Sequence, residues 1–489
     1  MNRLKIVRKR VVFLLSCLTL VQVGYAQPMW DFIEIAQRQS LDAKIAKRTL
    51  KYSELAYDLY KAGRKPLLAL SATPVQYNND VVQRYSYAED RTEYRTQQSF
   101  FSTINLRLQQ QVGFLGGTFY MDSEIKYYRS QGTSRYRQFT TVPIRLGYAQ
   151  NLLGYNPFKW ERRLEPLNYA LAERTYIHAM EQVAMEVVSR YFTLALLQEE
   201  VNLAQAYVQR CDTLSRLGEE KHKLGRISGT ELRRLRLEHT KARGKMLEAS
   251  KNLKIEQMLF KEFLHLEEED SLEIRIPRYV PQVDIPLPHA IQCAQAHSSE
   301  VLAARKHVIQ GEQALDKTKR ERYFEASFNA SVGWHQLGED LGQVYRRPLD
   351  GQGVSLGLSV PIVDFGRKRM AYQQAKENLE RGKLMEEKTQ LSLRDEVVAS
   401  VLKLNLQRDI IQYAEESYAL AQETGRAVFT QYALGRGDLS EVSLSITEQL
   451  TALVGYYEAL KEFWMTYYKI RGLTFYDYEQ QRSLCPRTR

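Results

Sequence analysis

Hydrophobic period changes twice within each half of the chain. Residues 29–62 and 286–320 carry apolar positions at helical spacing among good helix formers, predicting a helical opening to each half. Strict alternation follows. Phe324, Ala326, Phe328, Ala330, Val332 and Trp334 alternate with Glu325, Ser327, Asn329 and Ser331, and Val354, Leu356, Leu358, Val360 and Ile362 with Ser355, Gly357 and Ser359. These predict two strands with one apolar and one polar face, joined by a loop rich in Gly, Arg and Asp. The first half offers Leu68-Leu70-Ala72, Ile104-Leu106-Leu108, Phe119-Met121 with Ile125-Tyr127, and Val142-Ile144-Leu146-Tyr148. Gly116-Gly117 predicts a hairpin turn between the middle two. Residues 157–224 and 367–434 then run almost without Gly or Pro, each long enough for a helix of roughly 100 Å. Their apolar positions (Val187, Leu194, Val201, Val208; Val397, Leu404, Ile411, Tyr418) recur every seven residues, as in a coiled coil. Leu-Gly-Arg turns the chain, and helices are predicted to return over 228–268 and 438–472.

The two halves share one plan. Leu224-Gly225-Arg226, followed by Thr230-Glu231-Leu232, recurs as Leu434-Gly435-Arg436 with Ser440-Glu441-Val442, an offset of 210. The same offset carries Leu152 through Asn156 onto Ile362 through Gly366. The openings match at 258, with Ala36-Gln37 and Ser40 on Ala294-Gln295 and Ser298. The difference, 258 − 210 = 48, predicts an insertion between 65 and 147, read as an extra hairpin. The expected organisation is a signal peptide over 1–26, a first repeat over 27–276, a linker over 277–288, a second repeat over 289–475 and a tail over 476–489. The linker is marked by four prolines between Pro277 and Pro288.

The N-terminus changes where such a molecule is expected to work. Arg3, Lys5, Arg8, Lys9 and Arg10 precede an apolar stretch over Val11–Val23 and the small-residue site Gly24-Tyr25-Ala26, the pattern of a cleaved secretory signal. A lipoprotein signal ending at Cys17 is the alternative. The 13-residue apolar stretch falls short of the ~20 needed to span a bilayer. Cleavage after Ala26 takes the net charge from +11 to +11 − 5 = +6, dispersed along helical segments, with no focused basic patch for nucleic acid. Mean hydropathy is −0.45, which excludes several membrane-spanning helices. Four cysteines and eight histidines show no metal-ligand spacing, and no phosphate-binding loop occurs. Gly353-Val354-Ser355-Leu356-Gly357 matches a nucleophile-elbow pattern, but strand alternation runs straight through Ser355 where the elbow needs a sharp strand-to-helix turn. No catalytic, cofactor or metal site is expected. Tyrosines around 77–94, 127–136 and 467–478 fit either interfacial belts or ordinary packing.

A secreted chain with alternating strands and helical hairpins too long for a monomeric core suggests several protomers sharing one membrane β-barrel continued by a coiled-coil tube. Leu358 through Arg367 (LSVPIVDFGR) and Tyr432 through Val442 (YALGRGDLSEV) resemble the strand-to-helix junction and the periplasmic turn tip of the TolC family of outer-membrane efflux proteins. Asn156-Pro157-Phe158-Lys159-Trp160 fits the first-half junction, and the resemblance runs from about 30 to 475. It implies a mainly α fold with transmembrane β structure: a homotrimer in outer-membrane lipid, one shared barrel and an α-helical tunnel through the periplasm. It also implies a periplasmic adaptor and an inner-membrane pump or ABC transporter as partners. Family members usually give four strands per protomer; six candidates here leave open a larger barrel or a hairpin outside it.

The resemblance also implies a periplasmic gate. By motif Glu441 falls on the first gate carboxylate and Leu444 on the second, which it cannot serve as; Tyr432 falls on the gate tyrosine and Gly437 on the gate arginine, flanked by Arg436 and Asp438. Glu231 is the first-repeat counterpart of Glu441. Three Glu441 copies about a threefold axis would form an acidic ring favouring cations. Equally, Asp438 reads as a helix cap with Glu441 completing a capping box. Leu224-Gly225 and Leu434-Gly435 read as adaptor-contact tips, or as turns that need Gly at positive φ. The expected function is a passive channel of a tripartite efflux pump or type I secretion system, exporting small molecules or proteins. The rival is a non-conducting structural or adhesive envelope coiled coil.

Overall fold

The computed structural model describes residues 29–485, apart from 87–88, 132–134, 153, 268–271, 273, 275–279 and 323. The expected signal peptide, Cys17 and the start of the linker lie outside the described residues. The elements are α1 (Met29–Gln39), α2 (Leu41–Gly63), β1 (Leu67–Ser86), β2 (Arg91–Val112), β3 (Gly117–Gln131), β4 (Tyr136–Leu152), α3 (Pro157–Lys223) and α4 (Gly229–Leu264). They continue as α5 (Leu287–His297), α6 (Ser299–Arg320), β5 (Glu325–Gly338), β6 (Leu349–Ser359), α7 (Arg367–Ala433), α8 (Leu439–Thr474), β7 (Tyr476–Asp477) and β8 (Arg482–Ser483). Both ends of α3 and α4 map onto α7 and α8 at 210, and the start of β1 maps onto the start of β5 at 258. That leaves β2 and β3 as the additional pair.

The helical openings break once in each half, at the serine that the repeats share. Ser40 is buried and its Oγ accepts from Ala43 N–H at 3.2 Å, starting α2 as an N-cap; Ser298 ends α5, its N–H donating to Ala294 O at 2.8 Å. Helical periodicity passes through such a break unmarked, which is why the sequence reads one helix where there are two. Strand β6 stops at Ser359, short of the alternation read through Ile362. Pro361 has no N–H to continue a ladder, so Val360 and Ile362 fall in the junction.

The chain divides into two compact units. The first comprises residues 29–50, 173–299 and 390–485. Its core is aromatic: Phe32 packs against Tyr191 at 5.8 Å and Phe260 at 5.4 Å, and Trp30 meets Trp464 edge-on at 4.7 Å. Each fully buried aromatic side chain contributes about 2–3 kcal/mol. The heptad positions Val187, Leu194, Val397, Leu404 and Ile411 are buried, as the seven-residue recurrence predicts. Tyr467, Tyr468 and Tyr478 are also buried, so this group packs rather than forming a belt. Arg471 lies between two buried carboxylates, 3.1 Å from Glu181 Oε1 and 3.3 Å from Asp477 Oδ2. Burial pushes the Glu181 carboxyl up to about 7 against the opposing pull of Arg471. Glu181 Oε2 and Arg471 Nε have no hydrogen-bond partner among the described residues.

The second unit, residues 51–172 and 300–389, holds one six-stranded antiparallel sheet in the order β1-β2-β3-β4-β5-β6. The extra hairpin is therefore inside the sheet, not beside it. Residues opposite one another in antiparallel pairs share a face, and the register sorts the side chains. One face carries Leu70–Leu106, Leu108–Met121, Met121–Leu146, Leu146–Val332 and Phe328–Leu356. The other carries Ser71–Asn105, Arg107–Asp122, Asp122–Arg145, Gly147–Ser331 and Asn329–Ser355. Ser355 sits mid-strand in β6, where no nucleophile elbow can form. Asn156 anchors the sheet to α3: its Oδ1 accepts from Lys159 N–H at 3.3 Å, while its Nδ2 donates to Gly113 O in the β2–β3 turn at 3.0 Å. Asp364 caps the start of α7, accepting from Gly366 and Lys368 N–H at 2.9 and 3.1 Å. No helix among the described residues is long and apolar enough to cross a membrane.

Candidate functional site

Two helix-turn tips in the first unit carry the residues singled out from sequence. They are built alike. Arg226 N–H donates to Lys221 O and Gly225 N–H to His222 O; Arg436 N–H donates to Gln431 O and Gly435 N–H to Tyr432 O, all at 2.8–2.9 Å. Both are Schellman turns, with Gly225 at φ 70° and Gly435 at φ 82°. A Cβ at either glycine would meet nothing within 4 Å, so the backbone angle and not space is what requires Gly. Leu224 and Leu434 are each 70% exposed at the tips.

The returning helices are capped differently. Ser228 Oγ accepts from Glu231 N–H at 3.1 Å, whereas Asp438 Oδ1 accepts from Ser440 N–H at 3.2 Å. Asp438 is thus a cap. The reciprocal bond that would make Glu441 the far side of a capping box is not among the hydrogen bonds of the described residues. Glu441 is exposed and its carboxylate lies beside Gly437, where a Cβ would sit 3.4 Å from Oε2. The hydrogen bonds of Ser440, with a smaller contribution from Arg234, hold the Asp438 carboxyl below its usual range. Burial, then the charges of Glu231 and Asp438, raise the Tyr432 phenol. The tips thus bring Tyr432, Glu231, Asp438 and Arg234 into one electrostatic neighbourhood. Arg436 and Leu444 are exposed.

Sequence reading missed the polar centre behind the tips. Tyr207 donates to Glu238 Oε1 at 2.9 Å and Ser443 Oγ to the same oxygen at 3.4 Å, joining α3, α4 and α8. This sits on a cluster of Tyr207, Cys211, Ala242, Val442 and Ile446, with Tyr432 packed against it. Burial pushes the Cys211 thiol up to about 11, so it is an inert packing group at neutral pH. Glu238 and Ser443 belong to different repeats, and no local spacing links them.

The polar face of the sheet is the second candidate surface. Asp122 has no exposed side-chain area and is held by Arg145 Nε at 2.9 Å and Asn105 Nδ2 at 3.3 Å, with Arg107 at 3.5 Å. Tyr120 lies across Gly147, where any Cβ would overlap the ring, and donates to Asn329 Oδ1 at 3.1 Å. Arg107 stacks 5.2 Å from the same ring. The alternation of Asp122, Glu124 and Lys126 along β3 was the available signal. Among the described residues, no group of His, Cys, Asp or Glu could hold a metal ion.

Comparisons with known proteins agree with this architecture. Residues 290–453 match the family model described as outer membrane efflux protein. The fold is similar to the outer membrane protein VceC of Vibrio cholerae (13% identity, TM-score 0.63, 91% of this chain and 95% of that one). It is also similar to the CmeC outer membrane channel of Campylobacter jejuni (13%, 0.65, 91% and 85%) and to the MtrE outer membrane channel of Neisseria gonorrhoeae (13%, 0.55, 90% and 88%). Comparison with curated proteins finds no sequence match. The fold is TolC-like, with long helices and antiparallel strands. The match to the outer membrane efflux protein model covers residues 290–453 of the chain, and the fold as a whole is similar to that of solved outer membrane channels.

Proposed function

We propose that this chain is the passive exit duct of a tripartite efflux pump or type I secretion system. It works as a homotrimer, coupled through a periplasmic adaptor to an inner-membrane pump or ABC transporter that supplies the energy. The observation that carries this reading is the six-stranded sheet with one continuous apolar face. Its register puts Leu70, Leu106, Met121, Leu146, Phe328 and Leu356 together and Arg107, Asp122 and Arg145 on the opposite face, the arrangement of a wall between lipid and water. A structural rod has no use for such a face.

Small molecules are the cargo this reading favours, with proteins the alternative. Glu441, exposed at the start of α8, is the gate carboxylate, and three copies form an acidic constriction; Tyr432, Arg436, Asp438 and Glu231 are its neighbours at the tips. Leu224, Gly225, Leu434 and Gly435 are the adaptor contacts, because two exposed leucines on rigid Schellman turns offer apolar anchors at little ordering cost. The test is export in cells that lack this chain and are complemented with it. Dye retention should fall with the wild type and return with Leu224→Asp/Leu434→Asp, while the variant still reaches the outer membrane as a trimer. Equal export by that variant removes the tips from adaptor contact. No change in retention on complementation counts against the efflux reading.

A further inference from the structure

We propose that β2 and β3 are part of the membrane wall, so that three copies close an eighteen-stranded barrel through edge pairing of β6 of one copy with β1 of the next. The inference rests on the homotrimer proposed above and adds the strand count, the joining edges and the bore.

The edges argue for a second copy as the occupant. In the six-strand meander the outer backbone edges of β1 and β6 have no partner strand among the described residues, and lipid cannot satisfy their N–H and C=O groups. Six strands are fewer than the eight of the smallest closed membrane barrels. An even-numbered antiparallel meander has first and last strands running oppositely, so β6 beside a neighbour's β1 continues the alternation without a break. The side chains tell the same story. On the apolar face the edge residues Leu68, Leu70, Val354, Leu356 and Leu358 are more exposed than Leu106, Phe119 and Leu146 in the middle, as expected of strands missing one neighbour.

The extra hairpin cannot be an appendage on this geometry. β2 pairs with β1 from Leu67 to Ser86, and β3 pairs with β4 from Gly117 to Ser130, each over nearly its whole length. A wall without β2 and β3 would need β1 to abandon that ladder and pair with β4. With strands about 4.8 Å apart and tilted about 40°, eighteen strands give a backbone diameter of roughly 36 Å, against roughly 24 Å for twelve. The added pair also brings most of the charge to the polar face: Arg107, Asp122, Glu124 and Lys126 lie on β2 and β3, beside Asp80 on β1, Arg145 on β4 and Glu325 on β5. β6 opposes them with Gly351, Gly353, Ser355 and Gly357. The barrel is therefore wide, with a charged belt contributed by the insertion, and the limit on solute size falls outside it.

The experiment uses the full mature chain in lipid nanodiscs, with Cys211→Ala, Cys293→Ser and Cys485→Ser as background. Mass measurement counts the chains, and electron microscopy counts the strands. Two disulfide pairs are then compared. Leu68→Cys with Leu358→Cys should cross-link between chains into species of two and three chains. Leu70→Cys with Tyr148→Cys, separated by two strands in this sheet, should not cross-link. A three-chain particle with eighteen strands and this pattern supports the inference. A three-chain particle with twelve strands, or a Leu70–Tyr148 disulfide within one chain, overturns it and leaves the trimer standing. A particle of any other chain number overturns the trimer and the strand count together.

Discussion

Four glycines in the helical hairpins should respond to alanine with opposite signs. Gly435 sits at φ 82° and Gly225 at φ 70°, while Gly455 in α8 and Gly244 in α4 are in helix interiors; none has a neighbour within 4 Å of a Cβ position. Steric overlap is thus removed from the comparison, and backbone conformation alone decides. An L-residue in the left-handed region costs about 1–2 kcal/mol, offset in part by ~0.4–1 kcal/mol from a less flexible unfolded chain. Gly435→Ala should therefore loosen its tip by about 1 kcal/mol. Gly455→Ala should tighten its helix by about 0.8–1 kcal/mol. Hydrogen exchange read by mass spectrometry on the purified protein reports local opening directly. Exchange over residues 428–438 should quicken about fivefold in Gly435→Ala, and exchange over 450–460 should slow about fivefold in Gly455→Ala. Gly435→Asn should fall close to wild type, because Asn tolerates the left-handed region. Unchanged or slower exchange at the Gly435→Ala tip would refute the assignment of Gly435 to a conformational role.

Other consequences follow from packing and charge. Gly425 lies so close to the buried Gln449 amide that a Cβ would overlap it; Gly425→Ala should destabilise by about 1–3 kcal/mol, and Gly425→Ala/Gln449→Ala should recover part of that loss in a thermal double-mutant cycle. Glu181 has a folded pKa raised to about 7, so its protonation favours the folded state below about pH 4.5, and this contribution disappears as pH rises through 7. Relative to wild type, Glu181→Gln should gain about 2–3 kcal/mol between those limits, read as diverging Tm curves; parallel curves would count against a buried proton there. Asp122→Ala leaves Arg145 and Arg107 without their shared carboxylate on the polar face, and should shift the reversal potential under a salt gradient toward anions.

Much of the architecture was legible because it rests on periods and punctuation. The ends of α3 and α7 fall within a residue of the Gly- and Pro-poor runs, since Leu224-Gly225 and Leu434-Gly435 mark Schellman turns in the sequence itself. The six strands appear as alternation, but their pairing does not. Whether β2 and β3 lie inside the sheet depends on ladders between residues up to 42 positions apart, such as Leu67 with Gln109. Long-range polar centres were invisible for the same reason. Glu181 meets Arg471, and Glu238 meets Ser443, across more than 200 residues with no shared motif. The capping role of Asp438 was readable from its place before α8, whereas nothing in the local spacing places the Glu441 carboxylate beside Gly437.

The claim that this chain is a passive channel is tested most directly by the current it carries. Purified mature protein inserted in a planar lipid bilayer, alongside Glu441→Ala, should give a small cation-selective conductance that rises in the variant as the acidic constriction is removed. An inserted, correctly folded protein that passes no current in either form would contradict the channel account.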